Sequence, residues 1–311
     1  MPIAALEPRR ATLHGAFSRD LAPVLTIDPG DTVRYRTLDA GWHLAAIDPV
    51  DPEATPRFAP RIRGRDNGHA LCGPLAVRGA RPGMTLGIRV DALRPGAWGW
   101  TVAGGEDTPL NRRLGVAEER VVLRWTLDAD AGTGVDQHGH RVTLRPFMGV
   151  MGVAPAAPGW HPSWPPRAEG GNLDCAALGV GSTLYLPVAV PGALFSVGDG
   201  HARQGDGEVG GTAIECPMDR VELTFSLHDD PPLTMPRAHT AAGWFAFGLH
   251  EDLAEATALA LDNMLDLLVA RHGLARAAAL ALASVVVDLR LTQVVNGVRG
   301  VHAFLPHDAL A

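Results

Sequence analysis

An acidic, glycine-rich segment near the middle of the chain carries the strongest chemical signal. Between positions 194 and 208 the sequence reads LFSVGDGHARQGDGE. Carboxylates this close together repel one another unless a cation lies between them, and the glycines allow the backbone to fold tightly. The side chains that such a backbone can aim inward are Asp199, His201, Asp206 and Glu208. The segment therefore predicts a hydrolytic metal site.

The chemistry expected of such a site is attack by an activated water. A divalent ion held by histidine and carboxylates lowers the pKa of a bound water from about 15.7 toward roughly 7 and polarises a substrate carbonyl. A carboxylate must then move the proton to the leaving nitrogen, which departs poorly as an amide anion. Glu208 and Asp206 can both do this, and the sequence leaves the choice open.

Two other segments offer further polar side chains. The stretch GGNLD at 170–174 supplies Asn172 and Asp174, although Asn and Asp are equally typical of ordinary tight turns. His69 precedes a predicted strand, but most of the 13 histidines in the chain must be structural or exposed. From the residues alone, the roles of Asp174 and His69 stay open.

Other nucleophiles have less support. The chain has no Gly-x-Ser-x-Gly elbow, and it has no lysine, which excludes Schiff-base chemistry and lysine nucleophiles. Cys175 follows Asp174 directly, but Cys72 and Cys216 have equal claims, and free cysteine is common in protein cores. Metal-activated water is the preferred nucleophile.

Short β-branched or apolar runs separated by Gly, Pro and Asp predict that strands position these residues. The predicted strands are 24–27, 32–37, 86–90, 121–127, 141–144, 183–190 and 221–227. The aperiodic stretches 48–66 and 154–171 are predicted to be long loops, and the second lies before the acidic segment. We therefore expect the second loop to form a pocket wall, whereas the first is equally typical of a surface connection.

The last part of the chain is predicted to be helical. Apolar residues recur with a 3.6-residue period from Glu251 to His272-Gly273, and a second helix is expected from Leu274 to about Ser284. A strand or buried segment over 285–291 and a turn at Asn296 should follow. The predicted fold is mainly β (α+β), with antiparallel jelly-roll-like or barrel-like sheets and a C-terminal helical pair. The regions 1–150, 151–250 and 251–311 are expected to pack as one compact unit.

Composition excludes several partners. A formal charge of -7 and a pI near 6.0 argue against nucleic acid or an anionic membrane surface as partner. The chain shows neither a basic-then-apolar N-terminal segment nor a run of about 20 apolar residues. Three cysteines are too few for a disulfide framework or a structural zinc module. These features are typical of a cytoplasmic protein.

The motifs together resemble the acetamidase/formamidase family of metal-dependent amidases, over nearly the whole chain. The amino-terminal motifs are FSRD at 17–20, DPGDTV at 28–33, TLD at 37–39 and HALCGP at 69–74. The central motifs are PFMGVMGVAP at 146–155, GGNLD at 170–174, LPV at 186–188, PGALF at 191–195, GDGHARQGDGE at 198–208 and GTAIE at 211–215.

This resemblance implies hydrolysis of short linear amides, such as formamide or acetamide, to a carboxylate and ammonia. It implies a divalent metal, with zinc expected and calcium as the alternative, and a homodimer or higher homo-oligomer. The implied metal ligands are His69, Asp174, Asp199, His201 and Glu215. The implied acid–base residues are Glu208 and Asp206, and the implied substrate-binding residues are Asn172 and Gln204.

Departures from the family pattern leave the substrate open. Ala70, Cys72 and Met84 stand where the family usually has proline, a small hydroxyl residue and aspartate. Lost hydroxyl groups change the hydrogen bonds that a site offers its substrate. One alternative is therefore the same chemistry on a cyclic, urea-like or larger amide. Another is a non-enzymatic β-rich binding protein with structural calcium, which His201 disfavours because calcium prefers oxygen ligands.

Overall fold

The computed structural model describes residues 3–48, 51–229 and 232–310. The strands are β1 (Ala4–Leu6), β2 (Leu13–His14), β3 (Ala16–Phe17), β4 (Leu25–Ile27), β5 (Thr32–Thr37), β6 (Leu71–Val77), β7 (Thr85–Pro95), β8 (Trp98–Gly104), β9 (Arg120–Asp128), β10 (Thr133–Asp136), β11 (Arg141–Thr143), β12 (Phe147–Gly152), β13 (His161–Pro162), β14 (Gly170–Asn172), β15 (Thr183–Pro187), β16 (Phe195–His201), β17 (Glu215–Cys216), β18 (Met218–His228), β19 (Arg237–His239), β20 (Gly243–His250), β21 (Asp288–Gln293) and β22 (Arg299–Pro306). The helices are α1 (Pro109–Leu114), α2 (Leu253–His272) and α3 (Arg276–Val286), with a 3-10 turn at Pro52–Ala54.

Two large sheets contain most of these strands. The first has the order β1-β5-β18-β7-β15-β19-β20-β22-β21, and the second has the order β11-β10-β9-β8-β17-β16-β12-β14, with β6 joining β16 to β2 and β4. Among the described strand pairs only β1–β5 and β4–β6 are parallel. The predicted mainly β class with antiparallel sheets and a C-terminal helical pair is confirmed. The first sheet takes strands from all three predicted regions, whose division stays a prediction.

The main hydrophobic core joins the two sheets. Phe195 of β16 meets Phe225 of β18 edge to face, with ring centroids 5.1 Å apart, and both side chains are fully buried. Val197 and Leu223, which follow the same alternation on these strands, belong to the same core. Burial of each such side chain contributes about 1.5–3 kcal/mol, so the core holds β16 firmly in place.

The long C-terminal helix covers the other end of the first sheet. Helix α2 begins where the Asp252 carboxylate accepts hydrogen bonds from the backbone N–H groups of Ala254 and Glu255, and it ends at Gly273 as predicted. Helix α3 continues to Val286, so the strand expected from position 285 begins only at β21. No helix among the described residues is long and apolar enough to cross a bilayer.

Proline and the two long loops account for further differences from the predicted elements. Strand β5 has its predicted bounds, but β15 ends at Pro187, which has no N–H to continue the ladder. The loop predicted over 154–171 contains only the short β13 and the start of β14. In the 48–66 loop, positions 49 and 50 lie outside the described residues. Both loops reach the candidate site.

The buried His14 should make the fold sensitive to acid. Its Nδ1 lies 2.8 Å from the Ala16 carbonyl oxygen and its Nε2 lies 2.9 Å from the Ser196 hydroxyl. Burial lowers the pKa of His14 from 6.5 to about 4, against the opposing effect of the Ala16 carbonyl. The unfolded chain therefore takes up this proton first as the pH falls. The contribution of neutral His14 to the free energy of unfolding is fully present above pH 6.5. This free energy should decrease by roughly 3 kcal/mol between pH 6.5 and about 4.

Denaturant unfolding between pH 7.5 and 4 measures this loss. His14→Gln, which does not titrate, should show a shallower decrease than the wild type. His302, whose pKa burial also lowers to about 4, should keep part of the decrease in both proteins. His272→Gln changes an exposed histidine and should retain the full decrease. Equal pH profiles for the His14 variant and the wild type would show that this prediction is wrong.

Candidate metal and catalytic site

Four segments of the second sheet and its loops converge on one buried acidic cluster. Its five residues, each between 1% and 5% exposed, are Asp174, Asp199, His201, Glu208 and Glu215. Strand β16 supplies Asp199 and His201, and its neighbour β17 supplies Glu215 opposite His201. Asp174 follows β14, which lies beyond β12 in the same sheet. The glycine-rich segment therefore forms part of a central strand as well as a loop.

The donor atoms of this cluster have the spacing of a metal site. His201 Nε2 lies 3.3 Å from Asp199 Oδ1 and 3.1 Å from Glu215 Oε2. Ligand atoms of Asp174, Asp199 and His201 all lie within 4.8 Å of one another, and so do those of His201, Glu208 and Glu215. His201 belongs to both groups, which places it at the centre of the candidate metal centre.

Four side-chain atoms of the cluster, and one of the nearby Asn172, are buried and have no hydrogen-bond partner among the described residues. They are Asn172 Oδ1, Asp174 Oδ1, His201 Nε2, Glu208 Oε2 and Glu215 Oε2. Buried polar atoms in proteins are nearly always paired, because an unpaired one loses its hydration without compensation. So many unpaired atoms in one place fit a divalent cation, which would satisfy those of Asp174, His201 and Glu215 together.

A glutamine fixes the tautomer of the central histidine. Gln204 Nε2 donates to the Asp174 backbone carbonyl at 2.7 Å, so the amide oxygen of Gln204 must face His201. That oxygen lies 3.0 Å from His201 Nδ1, which therefore donates to it. The Nε2 atom of neutral His201 is then left with a lone pair directed at the carboxylates, as a metal ligand requires.

Gln204→Ala should weaken metal binding without removing a ligand. The variant loses the hydrogen bonds that orient His201 and hold the backbone at Asp174, and loss of such supporting groups typically costs 10- to 100-fold in metal affinity. Competition with a chromophoric chelator measures the change. Gln137→Ala is the matched control, because Gln137 binds backbone groups of β9 instead. Unchanged metal affinity in Gln204→Ala would contradict this role.

The electrostatics of the cluster favour a cation. Burial raises the pKa values of Asp174, Glu208 and Glu215, with Asp199 adding to each shift by charge repulsion. Burial alone would lower the pKa of His201, but Glu215 and Asp199 raise it well above 6.5. A divalent ion among these oxygens competes with protons for the same atoms, so metal affinity should rise with pH.

The backbone at the site includes three residues in the left-handed region and one glycine that leaves room for the carboxylates. Asp174, Asp199 and Glu208 have φ values of 48°, 59° and 45°, in the left-handed region that side-chain-bearing residues seldom occupy. Gly149 of β12 faces the cluster, and a Cβ atom there would lie 2.5 Å from Asp199 Oδ2 and 2.7 Å from Asp174 Oδ1. The strand thus leaves room for the carboxylates only because position 149 has no side chain.

A cavity of about 300 Å³ opens onto the cluster. Its side-chain-bearing lining residues are Ala40, Trp42, Arg57, Arg61, Asn67, His69, Trp100, Trp164, Asn172, Asp199, Glu208, Thr212, Glu215 and Asn296. Both long loops contribute to this lining, including the 48–66 loop for which the sequence did not favour a pocket role. His69 is held by Ser163 of the second loop, whose hydroxyl oxygen lies 3.0 Å from its Nδ1.

The structure brings together most of the predicted site residues, with one exception. Asn172 and His69 line the cavity, although His69 lies outside the two ligand groups of the cluster. Gln204 acts through His201. Asp206 is exposed and does not line the cavity. Glu208, two residues later, lines the cavity and is buried.

Asn296 is a site residue that the sequence did not reveal. Its Nδ2 donates to Asp174 Oδ2 at 2.6 Å, and while burial raises the pKa of Glu208, Asn296 opposes that shift. The loop that carries Glu208 reaches it because the Gly207 N–H donates to the Thr292 carbonyl at the end of β21, at 2.9 Å. In the sequence Asn296 is part of a simple Asn-Gly turn, and no local pattern distinguishes it.

The cysteines do not act as nucleophiles. All three are free and buried, and burial raises the pKa of Cys72 and of Cys175 to about 12. Since the thiolate is the reactive form, these thiols are inert near neutral pH. Cys72 lies in the core, with its Sγ 3.4 Å from the Arg36 carbonyl oxygen, and does not line the cavity.

Comparison with known proteins confirms the resemblance. The sequence profile of the Acetamidase/Formamidase family matches residues 4–159 and 161–242. A Schizosaccharomyces pombe protein named as a formamidase is 28% identical over 249 residues, which cover 63% of this chain and 59% of that protein. The chain thus spans less than two thirds of the length of this relative.

Solved structures share the fold over almost their whole length. An acetamidase from Yersinia enterocolitica has a TM-score of 0.85 and 27% identity, covering 100% of this chain and 94% of that one. An acetamidase from Bacillus halodurans has a TM-score of 0.83 and 27% identity, covering 97% of each chain. Helices α2 and α3 lie beyond the region that the family profile matches, but within the range of these structures.

Proposed function

Because the chain belongs to the acetamidase/formamidase family, we propose that it hydrolyses the C–N bond of short amides to a carboxylate and ammonia. The observation that carries this proposal is the buried cluster around His201, whose unpaired donor atoms lie beside a cavity large enough for a small amide. A purely structural role would not require acidic side chains to line that cavity.

The cluster supplies the ligands of a divalent metal. We assign His201, Asp174, Asp199 and Glu215 to this role, with His69 on the cavity wall as a further ligand. When bound, a divalent ion activates water as the nucleophile and polarises the amide carbonyl. A histidine at the centre of the donor set favours zinc over calcium, because calcium prefers an all-oxygen environment.

Glu208 is the proposed acid–base residue. It lines the cavity, its Oε2 atom has no partner among the described residues, and burial raises the pKa of its carboxyl group. A carboxyl group with a raised pKa accepts a proton from water and returns it near neutral pH, as protonation of the leaving nitrogen requires. Asn172 Oδ1 is the proposed acceptor for the N–H groups of the substrate amide.

Release of ammonia from formamide, acetamide and propionamide by metal-replete protein tests the activity. Glu208→Gln should lower kcat by at least about 100-fold while the protein retains its metal, since general acid–base catalysis contributes about 10²–10⁴-fold. Asp206→Asn, an exposed neighbour, should retain activity. Turnover of 2-pyrrolidone with no turnover of linear amides would favour the cyclic-amide alternative. Calcium as the metal with no amide turnover would favour a binding protein.

We also propose a cytoplasmic location and a homo-oligomeric state. Three free buried cysteines fit a reducing compartment. Strand β21 is the last strand of the first sheet and exposes Leu289 and Leu291, and an exposed apolar edge of this kind is suited to pairing with a second copy. Light scattering of wild type and of Leu289→Lys tests the oligomer.

A further inference from the structure

Two arginines line the same cavity as the acidic cluster. Arg57 and Arg61 both lie on the long loop before β6, and both line the cavity together with Asp199, Glu208 and Glu215. Hydrolysis of a neutral amide such as acetamide needs no guanidinium group at this position. The positive charge of these two arginines therefore indicates a property of the substrate that the metal ligands alone do not.

Arg61 is available to bind a ligand. Among the described residues it forms no ion pair and no side-chain hydrogen bond, and its guanidinium carbon lies 5.4 Å from the centre of the Trp42 ring. Trp42 is buried, and its Nε1–H donates to the Gly68 carbonyl at 2.7 Å, so the ring is a fixed platform. Stacking on this ring limits the orientations of the guanidinium group without using its N–H donors.

Arg57 is nearly as free. Among the described residues its ion pair is with Glu53, at 3.5 Å, and the Glu53 side chain is 76% exposed, so the pair contributes little. Other arginines nearby are fully engaged, since Arg10 and Arg65 both pair with the buried Asp66 at 2.8 Å. Among the described residues, neither Arg57 nor Arg61 pairs with a carboxylate of the cluster.

The cavity lining has an acidic region, formed by the cluster, and a basic region, formed by Arg57 and Arg61. A divalent ion bound by the cluster offsets the negative charge of its carboxylates, whereas the two guanidinium groups remain without a strong counter-charge. Arginine binds carboxylates through paired N–H donors in a planar fork. The part of the cavity lined by Arg57 and Arg61 thus has the chemistry of a carboxylate-binding subsite.

The cavity is also larger than the smallest amides require. Its volume of about 300 Å³ corresponds to roughly ten molecules of liquid water, of about 30 Å³ each. Formamide or acetamide would occupy only part of that space. A substrate with a second functional group beyond the amide would fill it and reach the arginines.

We infer that the substrate is a short amide that also carries a carboxylate, such as the monoamide of a dicarboxylic acid, with its carboxylate bound by Arg57 and Arg61. This inference rests on the proposed amidase function. In the reaction water adds to the amide carbonyl, the C–N bond breaks, and the nitrogen leaves as ammonia. The carboxylate held by the arginines is unchanged, and the product is the dicarboxylate.

The test compares malonamate and succinamate with their uncharged methyl esters, through ammonia release by zinc-replete protein. The kcat/KM of the anionic amide should exceed that of its ester by at least about tenfold, since only the carboxylate can form charge-assisted, paired hydrogen bonds with the guanidinium groups. Arg61→Gln and Arg57→Gln should each reduce this ratio by about tenfold, mainly through KM. Arg63→Gln removes the same charge from an exposed position of the same loop outside the cavity and should leave the ratio unchanged.

Each outcome separates this inference from the proposed function. The inference would be overturned, and the amidase function left intact, if acetamide and the esters were hydrolysed at least as fast as the anionic amides. In that case the ratio of kcat/KM between the anionic amide and its ester would also be unchanged in the arginine variants. Equal effects of Arg63→Gln and Arg61→Gln would show that net charge, not a subsite, sets the preference. No release of ammonia from any amide by metal-replete protein would remove the proposed function itself.

Discussion

Removal of the divalent ion should abolish amide hydrolysis, and His201→Ala should do the same in protein supplied with zinc. His201 belongs to both groups of ligand atoms in the cluster, and among the described residues it is the only histidine in either group. A bound metal contributes several kcal/mol of transition-state stabilisation, and its loss should lower kcat/KM by at least about a thousandfold. Added zinc should restore the chelated wild type but not the variant.

Metal content and activity must be measured on the same samples. Elemental analysis should show the metal lost from His201→Ala in parallel with ammonia release. His302→Ala is the matched control, because His302 is equally buried but bonds Thr292 and lies outside the cavity. It should lose stability and keep both metal and turnover. Full activity after exhaustive chelation, with no metal detected, would refute the metal-dependent mechanism.

The fold was predictable where local chemistry decides it. Apolar runs bounded by Gly, Pro and Asp gave the bounds of β5, and the 3.6-residue period with a terminal glycine gave those of α2. Sheet order was not predictable, because it depends on contacts between strands far apart in sequence. Strand β18, for example, lies between β5 and β7, and this order has no local signal.

The candidate site shows the same division. Repulsion among crowded carboxylates predicted a cation near His201, and the structure shows the unpaired atoms that one would satisfy. Asp206 and Glu208 are equivalent candidates in the sequence. In the structure Glu208 has a left-handed backbone and is buried in the cavity wall, whereas Asp206 is exposed. Asn296 reaches Asp174 across 122 positions of sequence, so only the tertiary fold reveals the pair.

Gly149→Ala should disable the site through a single added methyl group. A Cβ atom at this position would lie 2.5 Å from Asp199 Oδ2, 2.7 Å from Asp174 Oδ1 and 2.8 Å from His201 Cε1. These distances are shorter than van der Waals contact, so the two carboxylates and the histidine must move. Displacement of reacting groups by about 1 Å can cost about 100-fold in rate, and we expect a loss of at least that size in kcat/KM together with weaker metal binding.

The protein should remain folded, because overpacking of this kind typically costs about 1–3 kcal/mol out of a usual stability of about 5–15 kcal/mol. Gly205→Ala is the matched control: it adds the same methyl group in the glycine-rich segment, where nothing lies within 4 Å of the new Cβ. Near-UV circular dichroism and chelator competition on both variants distinguish local displacement from unfolding. Because the methyl group removes no donor atom, a selective loss in Gly149→Ala would show that catalysis depends on the spacing of the cluster as well as its composition. Wild-type metal affinity and turnover in Gly149→Ala would mean that the cluster tolerates the displacement and does not form the catalytic centre.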